Sequence, residues 1–184
     1  MKSKKHPLHG LIYVILAIAV IVVIVNHFRI ADFRVIEPGT LYVSSQPRGM
    51  DYSRLFYRYH IAAIVNIRLR QEHSEDNWHG EEVTWAKNNG VNYIEMPVEK
   101  KHYLPDGEMQ KRFLEIMTDK SNLPALLHGG GGDDKRVAML VAVWLRKNQR
   151  RTTEETFKMV KSIIDDRPLT AEENDFVNSL EDRS

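Results

Sequence analysis

A buried strand, four consecutive glycines and an apolar helix are predicted in direct succession, and this arrangement constrains the fold more than any other feature. The strand is Ala125–His128, the loop is Gly129–Gly132, and the helix is predicted to begin near Asp133 or Asp134. Because Val137–Leu145 contains no polar residue, the helix should be buried on all sides at the centre of the domain.

A glycine loop before a helix N-terminus can bind an anion, because its backbone N–H groups and the helix dipole both favour negative charge. Lys135 and Arg136 add two cations at this place. An ordinary strand–helix crossover is the alternative, since glycine runs also occur in plain turns. Two known phosphate loops are excluded. The ATPase loop needs a glycine before its lysine, where Asp134 stands, and the dinucleotide loop would need a glycine at that same position.

Strands and helices alternate along the rest of the chain. The other predicted strands are Phe33–Ile36, Leu41–Val43, Ile61–Ile67 and Val91–Met96. Helices are predicted to begin at the capping residues Asp51, Ser74, Asp106, Thr152 and Thr170. The alternation predicts an α/β domain over residues 33–184, with a mainly parallel sheet flanked by helices. Ligands in such sheets bind at the carboxyl ends of the strands, where the glycine loop should lie.

Composition excludes several function classes. The 184 residues carry 26 Lys and Arg against 25 Asp and Glu, a balance that does not favour nucleic-acid binding. There is no cysteine, which removes disulfides, thiolate metal sites and cysteine nucleophiles. No pair among the eight histidines has the spacing of a typical zinc site. The sequence therefore predicts no metal site and no cofactor.

A basic flank and a long apolar run open the chain. Residues 1–10 include three lysines, and Leu11–Val25 is apolar throughout. Extended over 11–28, the run is long enough to cross a bilayer of about 30 Å, so we predict a single transmembrane helix in contact with lipid. Two alternatives fit less well. A cleaved signal peptide would need a small-residue cleavage site after the apolar run, which this sequence lacks, and a buried core helix would rarely be so uniformly aliphatic. The charge bias favours the N-terminus inside and the domain outside the cytoplasm.

Three segments in a fixed order resemble the protein-tyrosine and dual-specificity phosphatase superfamily, and most closely its bacterial membrane-anchored branch. Phe33–Tyr42 followed by Ser45-Gln46-Pro47 is similar to the opening motif of that branch. Ile64–Arg68 is similar to its "INLR" strand. Leu127-His128, with the glycines and the apolar helix after them, is similar to the His-Cys-x5-Arg phosphate loop and its helix.

The resemblance implies a reaction whose reactive residues are missing here. In the superfamily a Cys thiolate attacks phosphorus and an Arg grips the phosphoryl oxygens with a bidentate fork. The thiolate position is Gly129, the Arg position is Lys135, and a hydroxyl position after it is Arg136. A frame shifted by one residue, with Arg136 as the grip, places the nucleophile at Gly130. Covalent catalysis of the family kind is therefore excluded, whereas slow hydrolysis by a bound water is not.

The resemblance also implies the remaining site residues. The phosphate-binding residues are expected to be His128, Gly129, Gly130, Gly131, Gly132, Asp133, Asp134, Lys135 and Arg136. Glu99 and Asp106 are the general-acid candidates, although Asp106 is also a good helix cap and Glu99 lies beside two lysines. We expect a structural role for His128. Arg68 and Arg70 either line the cleft or form surface ion pairs with Glu72 and Glu75.

These features together predict a membrane-anchored pseudophosphatase that binds a phosphorylated protein or another phosphate-bearing ligand without turnover. A weak phosphomonoester hydrolase that acts without a cysteine is the enzymatic alternative. A purely structural interaction module, with the glycine loop as a relic, is the third possibility.

Overall fold

The computed structural model describes residues 7–27, 29–74, 77–131 and 135–180. In this part of the chain five strands form one sheet: β1 (Arg34–Glu37), β2 (Leu41–Ser44), β3 (Ala63–Asn66), β4 (Asn92–Glu95) and β5 (Ala125–His128). The α-helices are α1 (Pro7–His27), α2 (Met50–Tyr59), α3 (Trp78–Asn89), α4 (Gly107–Thr118), α5 (Lys135–Lys147), α6 (Thr153–Ile163) and α7 (Ala171–Ser179). Two short 3₁₀ helices lie at Arg70–Ser74 and Lys120–Asn122.

The sheet is mainly parallel, as the alternation of strands and helices predicts. Its strand order is β1-β2-β5-β3-β4, and only β1 runs antiparallel to its neighbour β2. The central strand β5 pairs with β2 and β3 in register, so that Leu127 lies between Val43 and Val65. The segment after β5 therefore leaves the sheet from its middle.

Helix α5 is the core of one face of the sheet. All nine residues of Val137–Leu145 are at most 3% exposed, which confirms the prediction of a helix that is buried on all sides. Helices α4, α6 and α7 contribute apolar side chains to the same cluster, including Phe113, Val160 and Val177. Helices α2 and α3 cover the opposite face with a smaller cluster. The domain thus has three layers, helices on both sides of the sheet.

Local sequence signals place several helix ends correctly. The Asp106 carboxylate accepts a hydrogen bond from the Met109 N–H at 2.8 Å and caps α4. Both predicted capping boxes are formed, at Thr152 before α6 and at Thr170 before α7. Gly90 ends α3 in the left-handed conformation, with φ of 68°. In each case the signal lies within four residues of the helix end, so it does not depend on tertiary packing.

Two predicted helix starts are wrong. Asp51 lies inside α2, whose N-cap is Gly49. The Ser74 hydroxyl donates to the Gln71 carbonyl oxygen at 2.8 Å, within the first 3₁₀ helix, and α3 begins only at Trp78. Ser74 thus closes the preceding turn instead of opening the next helix.

The predicted membrane anchor coincides with α1. Its described side chains, from Gly10 to Ile21, are exposed. No helix in the described ranges combines the length and the apolar character that crossing a membrane requires. The transmembrane helix predicted over residues 11–28, with its bilayer contact, single-pass localisation and orientation, is therefore not supported by the structure.

Candidate functional site

The predicted loop lies where the parallel strands end. Strand β5 ends at His128, which is paired in register with the last residues of β2 and β3. Gly129–Gly131 follow at this carboxyl edge, and α5 begins at Lys135. Residues 132–134, which complete the predicted loop and contain the predicted helix start, lie outside the described residues. The location is the one at which α/β sheets bind ligands.

Lys135, the predicted phosphate grip, is directed at α7. Its ammonium nitrogen lies 2.9 Å from the Glu173 carboxylate. Glu173 is buried, belongs to the capping box of Thr170 and also accepts a hydrogen bond from the Tyr103 hydroxyl. The Lys135 charge is therefore used to join the N-terminus of α5 to α7.

Arg136 is directed at the first 3₁₀ helix and is 5% exposed. Its Nη1 donates to Glu72 Oε2 at 2.9 Å and to the Val98 carbonyl oxygen at 3.1 Å. Its Nη2 donates to Glu72 Oε1 at 3.3 Å. This two-point contact is the fork geometry with which arginine binds a carboxylate or a phosphate. The resemblance assigns Arg136 to a hydroxyl position, whereas the structure makes it the buried guanidinium of this edge.

The Glu72 carboxylate lies against the glycine loop. A Cβ placed on Gly130 would be 3.6 Å from Glu72 Oε1 and 3.6 Å from Arg68 Nε. Arg68 Nε is 3.8 Å from the same carboxylate oxygen, and its guanidinium stacks 4.2 Å above the Trp78 ring. Lys100 Nζ is 3.2 Å from Glu72 Oε1. The Glu72 carboxylate thus pairs with three cations, Arg68, Lys100 and Arg136, from three segments of the chain.

Glu72 is ionised at neutral pH. Burial would raise its pKa, but the hydrogen bonds from Arg136 and from the Leu69 N–H, together with the Arg136 charge and Lys100, outweigh burial and lower the pKa to about 2. The Leu69 N–H donates to Oε2 at 2.8 Å. The carboxylate therefore supplies, from within the chain, the negative charge that a ligand would bring to these cations.

His128 is fully buried and contacts a second carboxylate beneath the loop. Its Nε2 lies 3.2 Å from Glu82 Oε2, and its Nδ1 lies 3.2 Å from the Gly129 carbonyl oxygen. Glu82 is itself fully buried in α3 and accepts hydrogen bonds at 3.0 Å from Gln46 Nε2 and from the Tyr93 hydroxyl. These contacts agree with the structural role predicted for His128, because they hold the end of β5 from below.

The buried Tyr52 and the partly buried Tyr93 complete the Glu82 network. Burial, followed by the negative charge of Glu82, raises the pKa of both Tyr52 and Tyr93 well above the usual range. Both hydroxyls therefore stay protonated and can donate to the carboxylate, Tyr93 at 3.0 Å and Tyr52 at 3.5 Å. Asn66 Nδ2 donates in turn to the Tyr93 oxygen at 2.8 Å. The network joins β3, β4, α2 and α3 under the loop.

Comparison with known protein families decides the relationship. The family described as "PTP-SAK: Swiss Army Knife protein, DSP-PTPase phosphatase domain" matches residues 30–173, most of the 184-residue chain. The chain belongs to this family. The match confirms the resemblance to the protein-tyrosine and dual-specificity phosphatase superfamily. No curated protein sequence matches the chain.

Solved structures share the PTP-SAK fold of this chain at low sequence identity. The core catalytic domain of the PP-IP phosphatase Siw14 from S. cerevisiae, in complex with citrate, has a TM-score of 0.68 and 20% identity, over 83% of this chain and 87% of that one. PTPMT1 in complex with PI(5)P has a TM-score of 0.63 and 14% identity, over 80% and 93%. A putative phosphatase from Shewanella putrefaciens has a TM-score of 0.58 and 17% identity, over 82% and 91%.

The two general-acid candidates of this PTP-SAK domain have different surroundings. The Asp106 carboxylate is used as the cap of α4, which is the alternative role considered for it. Glu99 is exposed and directly follows Val98, whose carbonyl oxygen accepts from Arg136. Glu99 is therefore close to the loop along the backbone, and its role as an acid stays a prediction.

Sequence analysis missed the two carboxylates on which the PTP-SAK site depends. The sequence predicts Arg68 only as a cleft-lining residue or as the partner of Glu72 in a surface ion pair, but both residues are at most 6% exposed. Arg70 is exposed, and its suggested partner Glu75 lies outside the described residues. A signal for Glu82 does exist, because it is four residues from both Trp78 and Ala86 and shares the buried face of α3 with them.

Proposed function

We propose that this PTP-SAK domain binds a phosphorylated or other anionic ligand at the carboxyl end of β5 without hydrolysing it. The observation that carries the proposal is the buried Glu72–Arg136 pair against Gly130. The Glu72 carboxylate is paired with the cations that a bound phosphate would need. Binding is then an exchange, in which the ligand replaces the Glu72 side chain on the Arg136 fork.

The lack of a nucleophile supports binding without turnover. The sequence contains no cysteine, and the residue at the expected thiolate position is Gly129. A covalent phosphoenzyme requires a nucleophilic side chain, which glycine does not have. Asp106, one of the two acid candidates, is engaged as a helix cap. Each missing or engaged group would be needed for a chemical step, whereas none of them is needed for binding the ligand.

The exchange favours a phosphomonoester over a simple carboxylate. A phosphate group carries a charge of about −1.5 to −2 at neutral pH and three acceptor oxygens, whereas Glu72 offers one charge and two oxygens. The larger charge interacts more strongly with the three cations, Arg136, Arg68 and Lys100. The ligand can therefore offset the free energy lost when the Glu72–Arg136 pair separates. The structure of PTPMT1 with PI(5)P shows a phosphate-bearing ligand on a related fold and supports this ligand class.

Calorimetric titration of the full chain with inorganic phosphate and with a phosphotyrosine peptide tests the proposal. The Glu72→Gln variant should bind about tenfold more tightly, because a charge-assisted hydrogen bond to the competing carboxylate is worth about 1.5–3 kcal/mol. Arg136→Gln should abolish binding. Lys111→Gln is the matched control, since its side chain is 77% exposed on α4, and its affinity should equal that of the unaltered protein.

Two outcomes contradict the proposal. The first is that neither the unaltered protein nor Glu72→Gln binds either ligand at millimolar concentration, although circular dichroism shows that both are folded. The site would then not bind anions. Hydrolysis of an aryl phosphate that disappears in Arg136→Gln would instead establish the weak hydrolase.

A further inference from the structure

Two histidines and a glutamate from separate elements meet at the same edge of the sheet, beside β4, which β3 separates from the strand before the loop. His73 lies in the first 3₁₀ helix, His79 in the first turn of α3, and Glu95 at the end of β4. One potential ligand atom from each lies within 4.8 Å of the other two. The three residues are spread over 22 positions of sequence, which is why the histidine spacing gave no signal.

The His73 ring has the hydrogen-bond arrangement of a metal ligand. A hydrogen bond joins the ring to the backbone of Arg68. Its Nε2 is buried and has no hydrogen-bond partner among the described residues, so the bond to Arg68 uses Nδ1. A proton on Nδ1 leaves the Nε2 lone pair free. Metal-binding histidines typically have this arrangement, one ring nitrogen donating to the backbone and the other facing the ion.

The other two side chains are ordered and reachable from solvent. His79 Nε2 lies 2.8 Å from Glu95 Oε1, and the two side chains are 28% and 51% exposed. Arg112 Nη2 donates to the Glu95 carbonyl oxygen at 2.8 Å and fixes the strand end. An ion can therefore approach from outside and find an imidazole and a carboxylate already in contact.

We propose that His73, His79 and Glu95 form a binding site for a divalent transition-metal ion of the zinc type. Two imidazoles and a carboxylate are a common protein donor set for zinc, and a fourth position is then filled by water. The nitrogen donors disfavour Mg²⁺ and Ca²⁺, which prefer oxygen ligands. The inference rests on this cluster alone and does not require the anion site described above.

Binding requires a defined local rearrangement. The His73 and His79 rings are stacked, with centroids 4.0 Å apart and planes 15° apart. Ring nitrogens bind metal in the plane of the ring, so two parallel rings do not aim at one point. His79, whose side chain is 28% exposed, must rotate and exchange its hydrogen bond to the Glu95 carboxylate for a bond to the shared ion. The ligand atoms then close to roughly 3.4 Å, the separation that bonds of about 2.0–2.1 Å require in a tetrahedron.

Metal titration of the chelator-treated full chain tests the site. Calorimetry with Zn²⁺ should show one equivalent, and Co²⁺ should give the intense visible absorption of a tetrahedral ion. His73→Gln, His79→Gln and Glu95→Gln should each weaken Zn²⁺ binding at least about tenfold. His102→Gln, an exposed histidine outside the cluster, is the matched control and should leave the affinity unchanged.

Two results overturn the proposal. One is the lack of stoichiometric Zn²⁺ binding at micromolar concentration. The other is equal binding by His79→Gln and His102→Gln, which would assign the ion to other histidines. His79 is half-buried and lies outside both core clusters, so this comparison is valid even if His73→Gln does not fold.

Discussion

The guanidinium of Arg136 grips the carboxylate of Glu72 at two points, 2.9 and 3.3 Å, across 64 residues of sequence. The pair closes the space between the helix that follows the glycine loop and the first 3₁₀ helix. In a phosphatase-like fold whose chain contains no cysteine, this contact places the Glu72 carboxylate where the proposed ligand anion would bind. On the proposal that this site binds an anion, its affinity would be set by competition between the ligand and Glu72, and the pair should also affect the stability of the fold.

Acid should destabilise the protein through Glu72. The pKa of Glu72 is lowered from 4.5 to about 2 in the folded chain, so its contribution to stability is complete above pH 4.5 and is lost as the pH falls towards 2. Denaturant unfolding between pH 5 and pH 2 should show this loss, and Glu72→Gln should reduce it. Glu115→Gln, which removes an exposed carboxylate 3.9 Å from Lys111, should leave the pH profile unchanged. Identical profiles for the two variants would contradict the assignment.

Removing one hydroxyl from the Glu82 network should lower the free energy of unfolding more than removing a hydroxyl at the surface. Tyr93→Phe removes one of the hydrogen bonds to the buried Glu82 carboxylate and leaves Asn66 Nδ2 without its hydroxyl acceptor. The expected loss in the free energy of unfolding is about 1–3 kcal/mol. Tyr57→Phe is the matched control, because Tyr57 is 75% exposed, and it should change stability by less than about 0.5 kcal/mol. Chemical denaturation of both variants measures the difference, and equal stabilities would rule out a structural role for the network.

Lys135 should affect stability more than ligand binding. Lys135→Met keeps the aliphatic stem but leaves the buried Glu173 carboxylate without its ammonium partner. We expect a loss of about 1–3 kcal/mol in the free energy of unfolding, with phosphate affinity reduced far less than in Arg136→Gln. Thermal unfolding and phosphate titration of the same sample separate the two effects. A large loss of phosphate affinity with unchanged stability would show instead that Lys135 binds the phosphate.

Restoring the reactive residues should restore the reaction. Gly129→Cys with Lys135→Arg returns the thiolate and the guanidinium to the positions that the family resemblance assigns. This double variant should hydrolyse an aryl phosphate, and a phosphoenzyme should be detectable by mass spectrometry after rapid quenching. Gly129→Ser with Lys135→Arg is the control and should be inactive or nearly so, because a serine hydroxyl is a far weaker nucleophile than a thiolate. A folded but inactive Cys variant would point to the shifted frame, for which Gly130→Cys is the corresponding test.

The sequence predicts the fold well because the signals for it are local. The strand Ala125–His128 is found with the predicted bounds, and the capping boxes at Thr152 and Thr170 are both formed. Val137–Leu145, which has no polar side chain, is at most 3% exposed, as expected for an apolar helix packed against a sheet. Each of these features is decided within a dozen residues.

The candidate site is predicted less completely because its contacts are long-range. Nothing near Arg136 indicates that its partner lies in the 3₁₀ helix or that Lys135 will pair with Glu173. Both cations are therefore expected in one anion site, whereas Lys135 binds Glu173 on α7 and Arg136 binds Glu72 in the first 3₁₀ helix. The His73–His79–Glu95 cluster was missed for the same reason, since three elements must pack before it exists.

Strand β5 is held by hydrogen bonds from neighbours on both sides, and α5 is held by the core. The backbone between them is therefore pinned at both ends by structure that takes no stabilising side chain from Gly129–Gly131. Substitutions at Gly129–Gly131 should therefore leave the sheet and the core in place. For protein engineering, the same property makes this chain an acceptor scaffold onto which loops with other anion specificities can be grafted.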